Sequence, residues 1–244
     1  MKTSVIGLGY VGLPLSLQFA RSGVTVMGVD IDSAKVESLN AGRSFIKHIP
    51  AEAVAEMVKA GRFSATSDFR RLKEVEAIII CVPTPLNKNR EPDISFIIQT
   101  GRSIAPHLQK GTLVVLESTT YPGTTDEDLR EVLETGSGMK AGVDFHLAFS
   151  PEREDPGNAL SKVEAVPKVI GGYTPACLEK AKALYGRAIK TLIPVSSCRV
   201  AEATKLLENI FRSVNIALVN ELKLVYAAMG IDIWEVVNAA KTKP

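Results

Sequence analysis

Apolar residues follow two different rhythms along this chain. Up to about position 196 they come in short continuous runs, such as Ser4-Val5-Ile6, Val24 to Val29, Ala77 to Val82, Thr112 to Leu116 and Phe145 to Phe149. Continuous runs, as opposed to alternating ones, predict strands covered by helices on both faces of a parallel sheet. Most are followed by a polar or glycine-containing loop and then by an amphipathic segment. The predicted helices are Leu13 to Ala20, Ser33 to Asn40, Glu52 to Lys59, about Asp93 to Leu108, and Glu127 to Glu134. Lys168 to Gly172 and Lys190 to Pro194 read as two further strands, separated by a helix from Pro175 to Gly186. Repeated strand, loop and helix units predict an α/β fold built on a doubly wound parallel sheet.

The rhythm changes near Ser197. Val200, Ala203, Leu207, Ile210, Val214, Ala217, Leu218 and Leu222 recur at spacings of three and four, which predicts one long helix reaching about Met229. A shorter helix, Ile233 to Ala240, follows. The stripe is wider than one sheet face needs, so a second domain or a second subunit is expected on it. The chain therefore divides into residues 1–196, the sheet domain, and residues 197–244, the start of a helical central or dimerisation domain.

Composition narrows the function classes. Among 244 residues, 45 % are hydrophobic and 23 % charged, and the 29 basic and 27 acidic side chains leave a net charge of +2. No basic run suggests a nucleic-acid arm or a membrane-surface helix. Met1-Lys2-Thr3 leads straight into the first strand, with no signal peptide, and no apolar stretch approaches the roughly 20 residues needed to span a bilayer. A cytoplasmic protein is expected. Three widely spaced cysteines, Cys81, Cys177 and Cys198, include no C-x-x-C pair, so neither a disulfide framework nor a zinc site is expected. His48, His107 and His146 lack metal-ligand spacing and read as surface or loop residues.

The candidate chemistry begins where the first strand turns into the first helix, at Gly7-Leu8-Gly9-Tyr10-Val11-Gly12. A G-x-G-x-x-G turn in this setting, with Asp30 about 20 positions on at the end of the next strand, is a dinucleotide-binding pattern of the Rossmann type. Gly7 suits the tight turn, Gly9 a close backbone approach to a pyrophosphate, and Gly12 close helix–strand packing. Together with Tyr10 and Val11 they form the predicted anion cradle at a helix N-terminus. Asp30 can accept hydrogen bonds from an adenosine ribose, would repel the 2′-phosphate of NADP, and is followed by Ile31 instead of an arginine. NAD is the expected cofactor. Asp32 reads as a helix N-cap. Ligands of such sheets bind beyond the carboxyl ends of the strands, which makes Thr84 and Thr119 either site residues or loop hydroxyls bonding local backbone. Lys205 and Asn209, four apart on the long helix, read from spacing alone as a solvated face.

Taken together, several motifs resemble those of the nucleotide-sugar 6-dehydrogenases, the UDP-glucose/GDP-mannose dehydrogenase group. They are the glycine turn with Leu13-Pro14, Val82-Pro83-Thr84-Pro85, Glu117-Ser118-Thr119, Ser150-Pro151-Glu152 and Ala201-Glu202-Ala203-Thr204-Lys205-Leu206-Leu207-Glu208-Asn209. The resemblance covers essentially the whole chain. It implies NAD-dependent oxidation of the C6 alcohol of a UDP-sugar to a carboxylate, in two steps through a thiohemiacetal and a thioester on a cysteine. It further implies that Lys205 and Asn209 face the C6 oxygen, that Glu152 acts on the water that hydrolyses the thioester, and that Thr119 holds that water. Asp30 and Lys35 would contact the adenosine ribose, and Thr84 would lie against the cofactor. Full-length relatives pair through the long helix, which implies a homodimer.

Two departures qualify the resemblance. UDP-glucose enzymes carry a second glutamate four positions after the first, where this chain has Pro156. With Leu86 to Asp93, that favours UDP-N-acetylglucosamine over UDP-glucose as substrate. The family's nucleophile, in a Gly-Gly-x-Cys-x-Pro stretch, and its UDP-gripping domain would both lie after Pro244, so the chain is expected to be the cofactor half of a longer enzyme. Two other classes stay open: a β-hydroxyacid-type dehydrogenase, which needs neither Ser150-Pro151-Glu152 nor the cysteine loop, and a non-catalytic NAD-binding oligomerisation module.

Overall fold

A computed structural model describes residues 1–153 and 166–243. Pro156 lies outside the described residues. The chain divides into two compact units, Met1–Lys205 and Leu206–Pro244.

In the first unit eight strands form one sheet. They are β1 (Lys2–Ile6), β2 (Thr25–Val29), β3 (Phe63–Thr66), β4 (Ala77–Ile80), β5 (Leu113–Leu116), β6 (His146–Phe149), β7 (Lys168–Gly172) and β8 (Leu192–Val195), in the spatial order β3-β2-β1-β4-β5-β6-β7-β8. Helices α1 (Gly12–Arg21), α2 (Ser33–Asn40), α3 (Ala51–Lys59), α4 (Ser95–Ile104), α5 (Arg130–Ser137) and α6 (Pro175–Tyr185) connect them, and α7 (Cys198–Ala228) begins after β8. The order reverses direction at β1, where β2 and β3 lie on one side and β4 onward on the other. This switch point leaves a crevice at the carboxyl ends of the strands.

Successive side chains of a strand point to opposite faces, so a continuous apolar run feeds two cores at once. Ile79 joins Val5, Val26 and Val115 in one core, with Leu17 and Phe19 of α1 and Leu184 of α6. Ile78 and Ile80 join Val114 and Leu116 in the other, with Ile97 and Ile104 of α4 and Leu133 of α5.

The doubly wound sheet is present, with four corrections to the expected elements. β7 pairs antiparallel with β6, through Ala148 opposite Gly172, so the sheet is mostly and not wholly parallel. β3 had not been anticipated: only two of its four residues are buried, at alternate positions, which gives no continuous run. The helix expected from Glu127 begins three residues earlier as a π-helical turn, Thr124–Leu129, before regular α5. The expected helix to Leu108 ends as α-helix at Ile104 and continues as a 3₁₀ turn, Ala105–His107. The predicted cap is present, with Asp32 Oδ1 accepting from the N–H groups of Ala34 and Lys35 at 3.0 and 3.3 Å. His146 is not a loop residue; it opens β6, half-buried, with its Nδ1 buried and without a hydrogen-bond partner.

The second unit consists of the remainder of α7 and of α8 (Ile233–Ala240), which Asp232 caps by accepting from Trp234 N–H at 2.9 Å. Leu207, Ile210, Phe211, Val214, Leu218 and Leu224 on α7 are more than half exposed. No described helix is long and apolar enough to cross a membrane.

Candidate functional site

The glycine turn joins β1 to α1. Gly7 has φ +90°, and a Cβ there would sit 2.6 Å from the carbonyl oxygen of Cys81; at Gly12 a Cβ would sit 1.9 Å from the carbonyl oxygen of Gly7. Both glycines are thus required by the protein's own packing. Gly9 is different, because a Cβ there would meet nothing within 4 Å. What it would obstruct is the open space in front of the turn, as expected where a ligand must approach the backbone. No side chain caps α1, whose first residues follow Val11, so its N-terminal N–H groups face that space without competition from a capping oxygen.

Asp30 follows β2 directly and is 8 % exposed. Its Oδ2 accepts the N–H of Leu8 at 2.9 Å and its Oδ1 the N–H of Asp32 at 3.0 Å, which fixes the carboxylate beside the turn while leaving each oxygen a lone pair. Lys35 stands on α2 with Nζ 3.9 Å from Asp32 and 5.7 Å from the centre of the Phe45 ring. Tyr10 is 67 % exposed and stacks on His48 with ring centres 5.8 Å apart.

One cavity of about 610 Å³ takes in Gly7, Gly9, Tyr10, Val11, Asp30 and Lys35 on one side of the switch point and Thr84, Thr119, Glu152 and Lys205 on the other. Residues far apart in sequence therefore converge here, among them nearly all those singled out from sequence. Thr119 is exposed and Thr84 half-buried, so both hydroxyls can be reached by a ligand. The Lys205 ammonium donates to the backbone carbonyl of Glu152. Gly12 packs beneath the cavity. Asn209 belongs to the second unit, where its Oδ1 accepts from Arg212 Nη2 at 3.4 Å.

Three features of this site were not anticipated. Cys81 is not sealed in a core strand: β4 ends at Ile80, and the half-buried Cys81 lines the cavity with Val82 and Pro83. Burial pushes its thiol well above the usual range, so it is a poor source of thiolate. Phe96, Gln99 and Thr100 of α4 supply another wall. The third is a pair of buried carboxylates. Glu117, directly after β5, is 1 % exposed and also lines the cavity. Its Oε2 accepts from Lys168 Nζ at 2.7 Å, and its Oε1 accepts from the Tyr185 hydroxyl. Burial raises the Glu117 carboxyl, with Lys168 pulling it back; Lys168, which burial alone would lower, is held above its ordinary value by Glu117 and Glu152. Glu202, fully buried near the start of α7, accepts from Gly123 N–H at 2.9 Å, Thr125 N–H at 3.0 Å and Thr125 Oγ1 at 2.7 Å. It thereby fixes the far end of the loop that carries Thr119. The available signals were an acidic residue directly after the apolar run Leu113 to Leu116 for Glu117, and one between Ala201 and Ala203 for Glu202.

Residues 1–189 match the NAD binding domain of the UDP-glucose/GDP-mannose dehydrogenase family, and residues 199–244 match the central domain of the same family. The chain is similar to UDP-N-acetyl-D-glucosamine 6-dehydrogenase of Pseudomonas aeruginosa, 40 % identical over 244 residues that cover 100 % of this chain and 57 % of that protein. Among solved structures it is similar to a UDP-D-ManNAc dehydrogenase from Pyrococcus horikoshii, with TM-score 0.93 and 36 % identity over 100 % of this chain and 58 % of that one. GDP-mannose dehydrogenase from Pseudomonas aeruginosa aligns with TM-score 0.93 and 30 % identity over 100 % of this chain and 57 % of that one. The chain thus spans less than three fifths of the length of these relatives.

Proposed function

Because the chain belongs to the UDP-glucose/GDP-mannose dehydrogenase family, whose NAD binding domain makes up most of it, we propose that its cavity serves the oxidation of a UDP-sugar at C6 to a uronic acid. The observation that carries this reading is that one cavity joins the glycine turn and Asp30 to Glu152 and Lys205. Bound NAD supplies the hydride acceptor. The chain's own residues do the rest. The open space at Gly9 and the uncapped start of α1 receive the diphosphate, Asp30 and Lys35 hold the adenosine ribose, and Thr84 and Thr119 bound the nicotinamide end.

Lys205 gives that end a fixed positive charge, which stabilises negative charge developing on the sugar's C6 oxygen, and Asn209, one helical turn further along α7, adds an amide donor. Glu152 acts as general base toward a water held by Thr119. The domain division at 196/197 follows the same logic, with the sheet carrying the cofactor and the helices carrying substrate contacts and a homodimer interface along α7. A cytosolic enzyme fits these roles.

UDP-N-acetylglucosamine is the favoured substrate, with UDP-glucose next; the relatives named for UDP-N-acetylated sugars support an amino sugar. The test is NADH formation, followed by absorbance and by mass analysis of the uronic acid, when the protein containing this chain is given NAD with UDP-N-acetylglucosamine, UDP-N-acetylmannosamine or UDP-glucose. Two NADH per sugar with a UDP-N-acetylated sugar is expected, and turnover of a small hydroxyacid instead would contradict the reading. The 244-residue chain by itself is expected to bind NAD without forming a thioester, because Cys177 and Cys198 are buried and burial raises the thiols of Cys81 and Cys198.

A further inference from the structure

The buried ion pair behind the cavity has no place in the scheme above. Glu117 forms part of the cavity wall, while its partners Lys168 and Tyr185 are 6 % and 0 % exposed. Both Glu117 oxygens are held by donors from elsewhere in the fold, Lys168 on β7 and Tyr185 on α6, and Lys168 Nζ also lies 5.4 Å from the centre of the Tyr185 ring. The carboxylate cannot swing away. The cavity faces its negative end, and the ammonium that neutralises it is buried.

Topology fixes which part of a dinucleotide meets that carboxylate. With the diphosphate on the β1 turn and the adenosine toward Asp30 at the end of β2, the nicotinamide must lie on the opposite side, over β4 and β5. Glu117 immediately follows β5, two strands from β1, hence about 10 Å across the sheet at 4.7–4.9 Å per strand. The nicotinamide ring is a cation in NAD⁺ and neutral in NADH. Charged lining at this end comprises Glu117, Glu152 and Lys205, with the Lys168 ammonium set behind Glu117, out of the lining.

We propose that Glu117 is a redox-state selector: its fixed carboxylate binds the cationic nicotinamide of NAD⁺ in preference to the neutral ring of NADH, so that the reduced cofactor leaves the site. The inference rests on the dinucleotide orientation given above. Lys168, 2.7 Å away, tempers the preference and favours the ionised form of the carboxyl against the burial that raises it. Tyr185 holds it in place.

The experiment measures dissociation constants for NAD⁺ and NADH separately, by calorimetry and by NADH fluorescence, on the 244-residue chain. Glu117→Gln removes the charge and keeps the shape. NAD⁺ should weaken about five-fold or more while NADH changes little. Should this variant misfold with Lys168 unpaired, the double variant Glu117→Gln/Lys168→Met removes the whole pair, a change that buried ion pairs often tolerate; it should show the same loss of preference. Tyr185→Phe retains both charges and should retain the preference. Equal weakening of the two forms in the charge-removing variants, or none, would overturn the proposal. Asp30→Ala separates the underlying orientation from the role of Glu117: it should weaken NAD⁺ and NADH alike, and if it affects neither, the orientation fails and the inference with it.

Discussion

The two units of this chain spend their hydrophobic residues in opposite ways. In Met1–Lys205 the strands are apolar on both faces, and Ile79, Val115, Leu116 and Leu133 are 0 % exposed. In Leu206–Pro244 the amphipathic helix α7 leaves Phe211 69 % and Leu224 73 % exposed. The difference teaches that the first unit encloses its apolar side chains between its own sheet and helices, whereas the second leaves many of its own exposed. Isolated apolar residues on a surface are ordinary, so the homodimer interface proposed along α7 is what this contrast puts to the test.

Substitutions can break or sharpen that contrast. The largest effect is expected in the first unit: Leu133→Ala should cost about 2–5 kcal/mol of folding stability in denaturant unfolding, through lost burial and a cavity. Glu202→Ala comes next, at about 1–3 kcal/mol, because it leaves the buried N–H groups of Gly123 and Thr125 without their acceptor. In the second unit Phe211→Ala should change folding stability by less than about 1 kcal/mol but reduce self-association in light scattering across a dilution series. A loss as large as that of Leu133→Ala would mean that α7 is part of a core after all.

The smallest effect concerns pH. Burial lowers the His146 imidazole below its ordinary 6.5. A depressed value means that the unfolded chain binds the proton more readily. The contribution is therefore complete above pH 6.5 and is lost as pH falls below it. His146→Gln should flatten the fall in Tm between pH 6.5 and about 5; an unchanged profile would show that other groups set it.

How far the sequence reached follows from the range of the interactions involved. Local signals were enough for the glycine turn, for Asp32 as a cap and for α8, whose bounds match the periodicity at both ends. The direction of β7 carries no local signal, since it shows only in a pairing between residues as far apart as Ala148 and Gly172. The π-helical start at Thr124 is held by Glu202, 77 positions away from Thr125, and no window around residue 124 contains that carboxylate. Glu117 and Lys168 are 51 apart and meet only once the sheet has formed. Cys81 belonged to an apolar run whose last two residues leave the strand to wall the cavity. Spacing alone pointed to the turn at Gly7 to Gly12 with Asp30; Thr84, Thr119, Glu152 and Lys205 came from ordered motifs, and the pairing of Glu117 with Lys168 and Tyr185 from neither.

The central claim is that the cavity at the switch point holds NAD with its adenosine ribose on Asp30, and calorimetric titration of the 244-residue chain tests it most directly. NAD should bind to the unaltered chain at one site, NADP more weakly, and Asp30→Ala should weaken NAD by about ten-fold or more, as removal of a charge-assisted hydrogen bond of about 1.5–3 kcal/mol requires. Equal affinity of the chain and the variant for NAD would contradict the account.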